Sequence, residues 1–371
     1  MSHREGGYLL DTSLESFTKR HGVYLHNVAE LEPAYPAGGM RLQRFPREVR
    51  HRLTEKGRTK AMQSNGCEVR FVTEAKMVQV TLGALETNGR VLVFRGDFFH
   101  SVHELKAGSI CTLQLEQPER FSEVSEDKLE GAFAPRVWRL FIDRFAVVWY
   151  GIESFGFAVR PPDPAEMPAL TMLAYGSSIT QGAGATNAYN GYVHQAARRL
   201  GIEALNLGLS GSCYCEPELS DYLAARQDWD LAFLEIGVNM RGTIPAEEFE
   251  RRASYLLDCL IDNHPGKPVF VTIVYPNRAT YFREANHVFS ERERRYNEVL
   301  AGCVESRRRE DLHLLDGARI MSDFTSLTSD LIHPSDYGHQ LMGENVANML
   351  RPTVERLIAA GKSQFEGGYA G

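Results

Sequence analysis

A serine-containing turn follows the pattern of a buried strand near the middle of the chain. The apolar run at residues 170–175 is typical of a buried strand, and the sequence G-S-S-I-T at residues 176–180 follows it directly. A serine just past the carboxyl end of such a strand directs its hydroxyl into the crevice where α/β sheets bind ligands. Ser178 is therefore a candidate nucleophile for acyl transfer. The alternative is a Ser/Gly turn that only caps the next helix.

An aspartate and a histidine three positions apart, Asp330 and His333, lie near the C-terminus. A serine hydroxyl becomes a good nucleophile when a neutral imidazole takes its proton and a carboxylate holds the other ring nitrogen. We interpret His333 as that base and Asp330 as that carboxylate. The same spacing recurs at Asp336 and His339. Because Ser335 is typical of an N-cap, His339 is predicted to lie inside a helix.

Four segments resemble, in order, the sequence blocks of the SGNH (GDSL-type) hydrolases. They are G-S-S-I-T at 176–180, N-L-G-L-S-G at 206–211, G-V-N at 237–239 and D-L-I-H-P at 330–334. The α/β-hydrolase elbow G-x-S-x-G and the Walker phosphate loop are both absent. The resemblance implies a triad of Ser178, His333 and Asp330. It also implies an oxyanion hole formed by the backbone N–H groups of Ser178 and Gly211 and the side-chain amide of Asn239.

Two residues depart from the pattern of that family. Ser177 and Met240 stand where the family usually has aspartates, and neither position performs a chemical step in the family mechanism. Taken singly, Gly211 is typical of a turn, Asn239 of a cap, and His333 of a loop. Their order, each at a predicted strand end, favours the functional interpretation.

The elements that must position these residues alternate between strand and helix after residue 166. Buried-strand patterns cover 170–175, 204–207, 231–236, 269–274 and 312–315, and helical patterns cover 192–200, 217–225, 245–263, 290–308 and 335–359. This alternation predicts a parallel sheet covered on both faces. For residues 166–371 the resemblance implies a flavodoxin-like three-layer α/β/α SGNH hydrolase domain.

Residues 66–155 show period-two alternation without helical patterns between the strands. The strand candidates are 69–74, 78–82, 91–94, 110–115, 137–142 and 146–150, and a proline-rich linker follows at 160–164. We expect an antiparallel, jelly-roll-like β-sandwich over residues 1–165. Such a domain before an SGNH domain resembles two-domain acetylxylan (carbohydrate) esterases. Its aromatic candidates for stacking on a sugar, which are alternatively core residues, are Phe98, Phe99, Trp138, Trp149 and Tyr150.

Composition limits the classes of partner. The chain has 371 residues, 43% of them hydrophobic, and a formal net charge of −7, which is typical of a soluble protein without a nucleic-acid footprint. No stretch approaches the roughly 18 consecutive apolar residues of a membrane helix, so we expect no membrane partner. Residues 1–17 contain no apolar run that could serve as a signal-peptide core, and we therefore expect a cytoplasmic protein. Cys213 and Cys215 form a weak zinc signal without further ligands, and we expect no metal and no cofactor. The oligomeric state stays open, a homo-oligomer included.

Together these features predict a serine esterase that removes short acyl groups, acetyl above all, from acetylated oligosaccharides such as xylo-oligosaccharides. A general short-chain carboxylesterase or lysophospholipase-like enzyme is the alternative within the same class. A carbohydrate-binding protein with an inactive hydrolase domain is the alternative from another class, and a metal-dependent deacetylase would need a ligand cluster that the sequence does not show.

Overall fold

The computed structural model describes residues 13–284 and 286–367. The predicted domain ends at residues 1–12 and 368–371 lie outside the described residues. In the front part the elements are α1 (Leu14–His21), β1 (Tyr24–His26), β2 (Glu30–Pro33), β3 (Met40–Gln43), α2 (Arg47–Arg52), α3 (Glu55–Ala61), β4 (Glu68–Thr73), β5 (Met77–Ala84), β6 (Gly89–Arg95), β7 (Phe98–Leu105), β8 (Ser109–Glu116), β9 (Trp138–Asp143), β10 (Val147–Glu153) and β11 (Val159–Arg160).

These strands form two antiparallel sheets. One sheet has the order β1-β4-β9-β6-β7, with β11 beside β4, and the other has the order β2-β3-β10-β5-β8. Side chains of both sheets fill a single apolar core, where Val69 and Leu140 of the first sheet pack with Val80 and Trp149 of the second. The predicted antiparallel sandwich is thus confirmed, because alternate residues of both sheets turn toward a shared interior.

The helices α2 and α3 lie outside the two sheets of the sandwich and pack against the C-terminal half. Phe45, Val49, Leu53 and Ala61, which lie on or next to these helices, belong to the same buried cluster as side chains of the parallel sheet such as Leu234. The front half therefore supplies part of the core that supports the C-terminal sheet.

The C-terminal half alternates strand and helix as predicted. Its elements are β12 (Thr171–Gly176), α4 (Tyr192–Leu200), β13 (Glu203–Asn206), α5 (Pro217–Ala225), β14 (Leu231–Glu235), α6 (Ala246–Asn263), β15 (Val269–Thr272), α7 (Val288–Arg307), β16 (Leu312–Leu315), α8 (Gly317–Ile320) and α9 (Asp336–Gly367). Short 3-10 turns lie at Glu119–Glu123, Glu126–Lys128, Pro164–Glu166, Ala188–Asn190 and Phe324–Ser326. No helix among residues 13–284 and 286–367 is both long and apolar enough to cross a bilayer.

The five strands are parallel and run in the order β13-β12-β14-β15-β16, which is the flavodoxin-like order. One apolar cluster places α5, α6 and α7 on one face, through side chains such as Leu219, Leu256 and Tyr296. A second cluster places α4 and α9 on the other face, through side chains such as Ala196 and Met342. The predicted three-layer α/β/α arrangement is confirmed.

Strand register brings the sequence blocks to one edge of this sheet. Ala174 of β12 pairs with Asn206 of β13, and Gly176 of β12 pairs with Glu235 of β14. Since the carboxyl ends of parallel strands share an edge, the loops after residues 176, 206 and 235 begin side by side.

Buried charges join the two halves. Glu203, at the start of β13, accepts hydrogen bonds from Arg70 at 2.9 and 2.8 Å and lies 2.7 Å from His26 Nδ1. Burial alone would raise the pKa of Glu203, but Arg70 and His26 lower it to about 2. The fully buried Arg44 donates to the carbonyl oxygens of Asn206 at 2.9 Å and Gly208 at 3.1 Å. The front half thus holds the loop after β13 from behind.

Candidate active site

Ser178 lies in the tight turn that follows β12. The hydroxyl of this buried residue lies 2.8 Å from Nε2 of His333. The turn is closed by backbone hydrogen bonds from Gln181 N to Ser177 O at 3.1 Å and from Ala183 N to Ser178 O at 2.8 Å. These bonds keep the turn compact, and Ser178 Oγ faces the loop that carries the histidine.

Asp330 holds His333 on its other side. Oδ2 of Asp330 lies 2.6 Å from His333 Nδ1, while Oδ1 accepts from the backbone N–H groups of Ile332 at 2.8 Å and His333 at 2.9 Å, and from Thr328 Oγ1 at 2.9 Å. Burial would raise the pKa of Asp330, but these hydrogen bonds, led by that of the His333 side chain, hold it below its usual range. An ionised Asp330 keeps the proton on Nδ1, so Nε2 is free to accept from Ser178.

The backbone of this loop has a local cause for its shape. Leu331, which lies between Asp330 and His333, has φ of 57°, a left-handed conformation that turns the chain back on itself. The carbonyl of Leu331 accepts from Arg278 N at 2.8 Å, and Thr328 N donates to His333 O at 2.7 Å. The loop is therefore anchored at both ends, which fixes the side chains of Asp330 and His333.

The second Asp-x-x-His pair has a different environment. His339 lies inside α9, as predicted, and is fully buried. Its Nδ1 accepts from Tyr192 N at 3.2 Å, so Nε2 carries the proton that bonds Ala183 O at 2.9 Å. Burial lowers the pKa of His339 to about 4, and Asp336 accepts from Thr186 N at 2.8 Å. This pair supports the loop behind Ser178 and does not contact its hydroxyl.

The predicted oxyanion donors lie on loops that are tied together. Leu209 N donates to Gly176 O at 2.8 Å, and Cys213 N donates to Asn239 Oδ1 at 3.1 Å. Gly211 lies between those two anchors with φ of 66°, which favours glycine. Since the carbonyl of Asn239 accepts from Cys213, its Nδ2 group remains as a donor, and no acceptor among the described residues takes it.

Two residues near this site were missed by sequence reasoning. Lys56, an exposed residue of α3, covers Gly211 so closely that a Cβ there would clash with Nζ and lie 2.7 Å from Cε. Glu235, at the end of β14, accepts a hydrogen bond from Ser177 Oγ at 2.6 Å. A glutamate within an apolar buried strand was a visible signal for Glu235, whereas nothing local marks Lys56.

The proposed sugar-stacking aromatics divide into two groups. Trp138 and Trp149 are each 1% exposed and belong to the sandwich core, so the core interpretation holds for them. Phe98 and Phe99 are 41% and 59% exposed on β7, an edge strand of the first sheet, and Tyr150 is half-buried. A large apolar area explains the burial of both tryptophans.

The cysteines of the chain are neither paired with one another nor grouped with other metal-ligating side chains within the described residues. All six cysteines have free thiols, and Cys213 and Cys215 are buried. In the stretches 13–284 and 286–367, no group of three His, Cys, Asp or Glu side chains is placed to hold a metal ion.

Comparison with known proteins identifies the C-terminal half. Residues 174–341 match the model of the GDSL-like Lipase/Acylhydrolase family. No curated protein matches the sequence.

Several solved structures have a similar fold over most of the chain. A salicylyl-acyltransferase from a tetracycline biosynthetic pathway has a TM-score of 0.72 at 16% identity and covers 87% of this chain and 92% of its own. A family two carbohydrate esterase from Clostridium thermocellum has a TM-score of 0.57 at 16% identity, over 78% and 93% of the two chains. An acetyl xylan esterase from the rumen bacterium Butyrivibrio proteoclasticus has 0.54 at 11% identity, over 89% and 95%.

At these identities the solved structures bear on the fold, whereas the family match bears on the chemistry. The hydrogen-bonded Ser178, His333 and Asp330 all lie within the matched range. Residues 174–341 therefore form a GDSL-like lipase/acylhydrolase domain, and the protein is a carboxylic ester hydrolase of the SGNH type.

Proposed function

We propose that this protein is a serine esterase that removes short acyl groups, acetyl above all, from acetylated oligosaccharides such as xylo-oligosaccharides. The observation that carries the serine mechanism is the unbroken chain of hydrogen bonds from Asp330 through His333 to Ser178, at 2.6 and 2.8 Å. These distances are within the range expected for a nucleophile, its base and an orienting carboxylate.

In the first half-reaction, His333 Nε2 takes the proton of Ser178 as Oγ bonds to the acyl carbonyl carbon. The carbonyl oxygen becomes an oxyanion, which would accept hydrogen bonds from Ser178 N, Gly211 N and Asn239 Nδ2. Preorganised donors of this kind are worth about 3 kcal/mol each. The intermediate then collapses, the C–O bond to the alcohol breaks, and His333 returns the proton to the leaving oxygen.

In the second half-reaction, water replaces the alcohol. His333 takes a proton from that water, the hydroxide attacks the acyl-Ser178 carbonyl, and the acid leaves as the proton returns to Ser178 Oγ. Asp330 stays ionised throughout, because its low pKa keeps it a hydrogen-bond acceptor for the imidazolium.

The sugar part of the proposal rests on observations of its own. It draws on the likeness to carbohydrate esterases and on exposed aromatics beside the loop of the triad. Tyr281 is 62% exposed and comes three residues after Arg278, whose backbone N–H donates to the carbonyl oxygen of Leu331. Tyr337 is 59% exposed and lies in the first turn of α9. Exposed aromatic faces of this kind can stack on a sugar ring.

The test compares acetate release from acetylated xylo-oligosaccharides and from 4-nitrophenyl acetate. We expect Ser178→Ala and His333→Ala each to lower kcat at least about 1,000-fold on both substrates. A Ser178→Ala enzyme with wild-type turnover would overturn the serine mechanism, and retained biological activity of that variant would favour the carbohydrate-binding alternative. Rapid hydrolysis of the aryl ester without release from the oligosaccharide would favour a general carboxylesterase, which a panel of acyl lengths would then define.

Acyl transfer to an alcohol is a second candidate, since the acyltransferase above has a TM-score of 0.72. The first half-reaction is unchanged, and an acceptor hydroxyl takes the place of water. The two outcomes separate in one experiment, in which an acyl donor is supplied with increasing acceptor sugar. A growing yield of acylated acceptor at the expense of free acetate would indicate a transferase, and constant acetate release would indicate a hydrolase.

A further inference from the structure

A buried carboxylate lies directly behind the turn that carries Ser178. Glu235 is the last residue of β14, is 3% exposed, and pairs in register with Gly176. Its Oε2 accepts three hydrogen bonds, from Ser177 N at 2.9 Å, Ser177 Oγ at 2.6 Å and Thr180 Oγ1 at 3.1 Å. Both donor residues belong to the turn, so Glu235 binds that turn to the neighbouring strand.

Among the described residues, no Lys, Arg or His side chain forms an ion pair with this buried carboxylate. Burial raises the pKa of Glu235, and the opposing influences are hydrogen bonds from Ser177 and Thr180. Placing an unpaired carboxylate in a protein interior costs stability, and neutral donors offset that cost only in part. Because this carboxylate lowers the stability of the fold, its position beside the candidate nucleophile indicates a role in the site.

The hydrogen bonds show how that role is exerted. Ser177 Oγ, while it donates to Glu235, accepts from Ile179 N at 3.1 Å. The N–H groups on both sides of Ser178 are therefore held through one carboxylate. The peptide plane that carries Ser178 N also carries Ser177 O, and this oxygen accepts from Gln181 N at 3.1 Å. Because a peptide unit is planar, fixing its carbonyl also fixes the direction of Ser178 N–H.

We propose that Glu235 is a positioning residue that acts through Ser177 to orient the backbone N–H of Ser178. This inference rests on the proposed role of Ser178 as nucleophile. Glu235 does not contact the substrate. Its effect is exerted on the transition state. A Ser178 N–H group that pointed away from the oxyanion would weaken stabilisation of the negative charge, which is present only once the tetrahedral intermediate begins to form.

The experiment uses the full chain with Glu235→Gln and the matched control Asp230→Asn. Glutamine keeps the shape of the side chain, but its neutral amide oxygen is a weaker acceptor than the charged Oε2 for the three donors of the turn, and its NH₂ group adds a buried donor in place of Oε1. Asp230 accepts from Thr171 N at 2.8 Å next to the opposite end of the same strand, about 17 Å away at roughly 3.3 Å per residue. The readouts are kcat and KM for an aryl acetate, the rate of inactivation by a fluorophosphonate, and the melting temperature.

We expect Glu235→Gln to lower kcat about 10- to 100-fold with KM within about threefold, and to slow phosphonylation by the same factor. Asp230→Asn should retain wild-type values of both rates. Wild-type kcat in a folded Glu235→Gln enzyme would overturn the inference, as would an equal loss in Asp230→Asn.

A second variant keeps the test decisive if Glu235→Gln fails to fold. Ser177→Ala removes the hydroxyl that links Glu235 to Ile179, and it should lower kcat about tenfold without a change in KM. Full activity in Ser177→Ala would refute the inference. Ser178→Ala distinguishes this failure from failure of the proposed function. An active Ser178→Ala enzyme would show that Ser178 is not the nucleophile, which would refute the proposed function itself.

Discussion

Replacing Asp330 by asparagine changes one atom of the proposed triad while keeping the loop. Oδ1 of Asp330 accepts from Ile332 N, His333 N and Thr328 Oγ1, and the amide oxygen of asparagine can take over those bonds. The atom that faces His333 Nδ1 at 2.6 Å then becomes an NH₂ group. This donor favours the imidazole tautomer with the proton on Nε2, which cannot accept the proton of Ser178.

The size of the effect follows from the exposure of the pair. A buried triad loses about 10⁴-fold in kcat on the same exchange. The side chain of Asp330 is 48% exposed and that of His333 is 27% exposed, so water can replace part of the lost interaction. We therefore expect a loss of about 10³-fold in kcat, which corresponds to about 4 kcal/mol of transition-state stabilisation.

The assay is the steady-state hydrolysis of an aryl acetate, with the melting temperature measured in parallel. Asp336→Asn is the matched control, because Asp336 has the same spacing to a histidine but accepts from Thr186. Its kcat should stay within about threefold of the wild type. A loss of less than tenfold in Asp330→Asn, or equal losses in the two variants, would refute the assignment of Asp330 as the orienting carboxylate.

Two further results are expected from the same site. Gly211→Ala should lower kcat about 10- to 100-fold, because a Cβ at φ of 66° strains the backbone and clashes with the Lys56 side chain. The kcat of the double variant with Lys56→Ala would show how much of that loss comes from the clash. His339 has a folded pKa of about 4, below the ordinary 6.5, so its contribution to stability is complete above pH 6.5 and is lost as the pH falls toward 4. Denaturant unfolding at several pH values should show a weaker loss over that window in His339→Gln, and identical profiles would contradict the role of His339.

The parallel half of the fold could be predicted closely from the sequence. Helices α4 and α5 and strand β16 have the predicted bounds, since long apolar runs alternate there with clear helical periodicity. In the sandwich, β1, β2 and β3 were missed because three or four residues are too short to show a period. Strand β7 was missed because the sequence F-F-H-S-V-H-E-L does not alternate, and its edge position relaxes the need for an apolar face.

The candidate site shows the same division between local and long-range information. Ser178, Asp330 and His333 could be proposed because each lies in a short motif at a strand end, and the structure brings them into hydrogen-bond contact. Lys56 and Glu235 act across the fold, from a helix of the front half and from a neighbouring strand. The position of Lys56 depends on which surfaces meet, and no local pattern encodes that. The glutamate in the apolar run of β14 was visible in the sequence, but its contact with the turn of Ser177 was not.

The contacts between the halves indicate that the front half supports the loop that carries Gly211. Arg44 satisfies the carbonyl oxygens of Asn206 and Gly208, at the start of the loop that carries Gly211. Glu203, at the start of β13, accepts hydrogen bonds from the buried Arg70. Loss of one partner of such a buried ion pair typically lowers the free energy of unfolding by about 3–5 kcal/mol. The loop that presents the proposed oxyanion donor is therefore held by side chains of the front half as well as by bonds such as that from Leu209 N to Gly176 O.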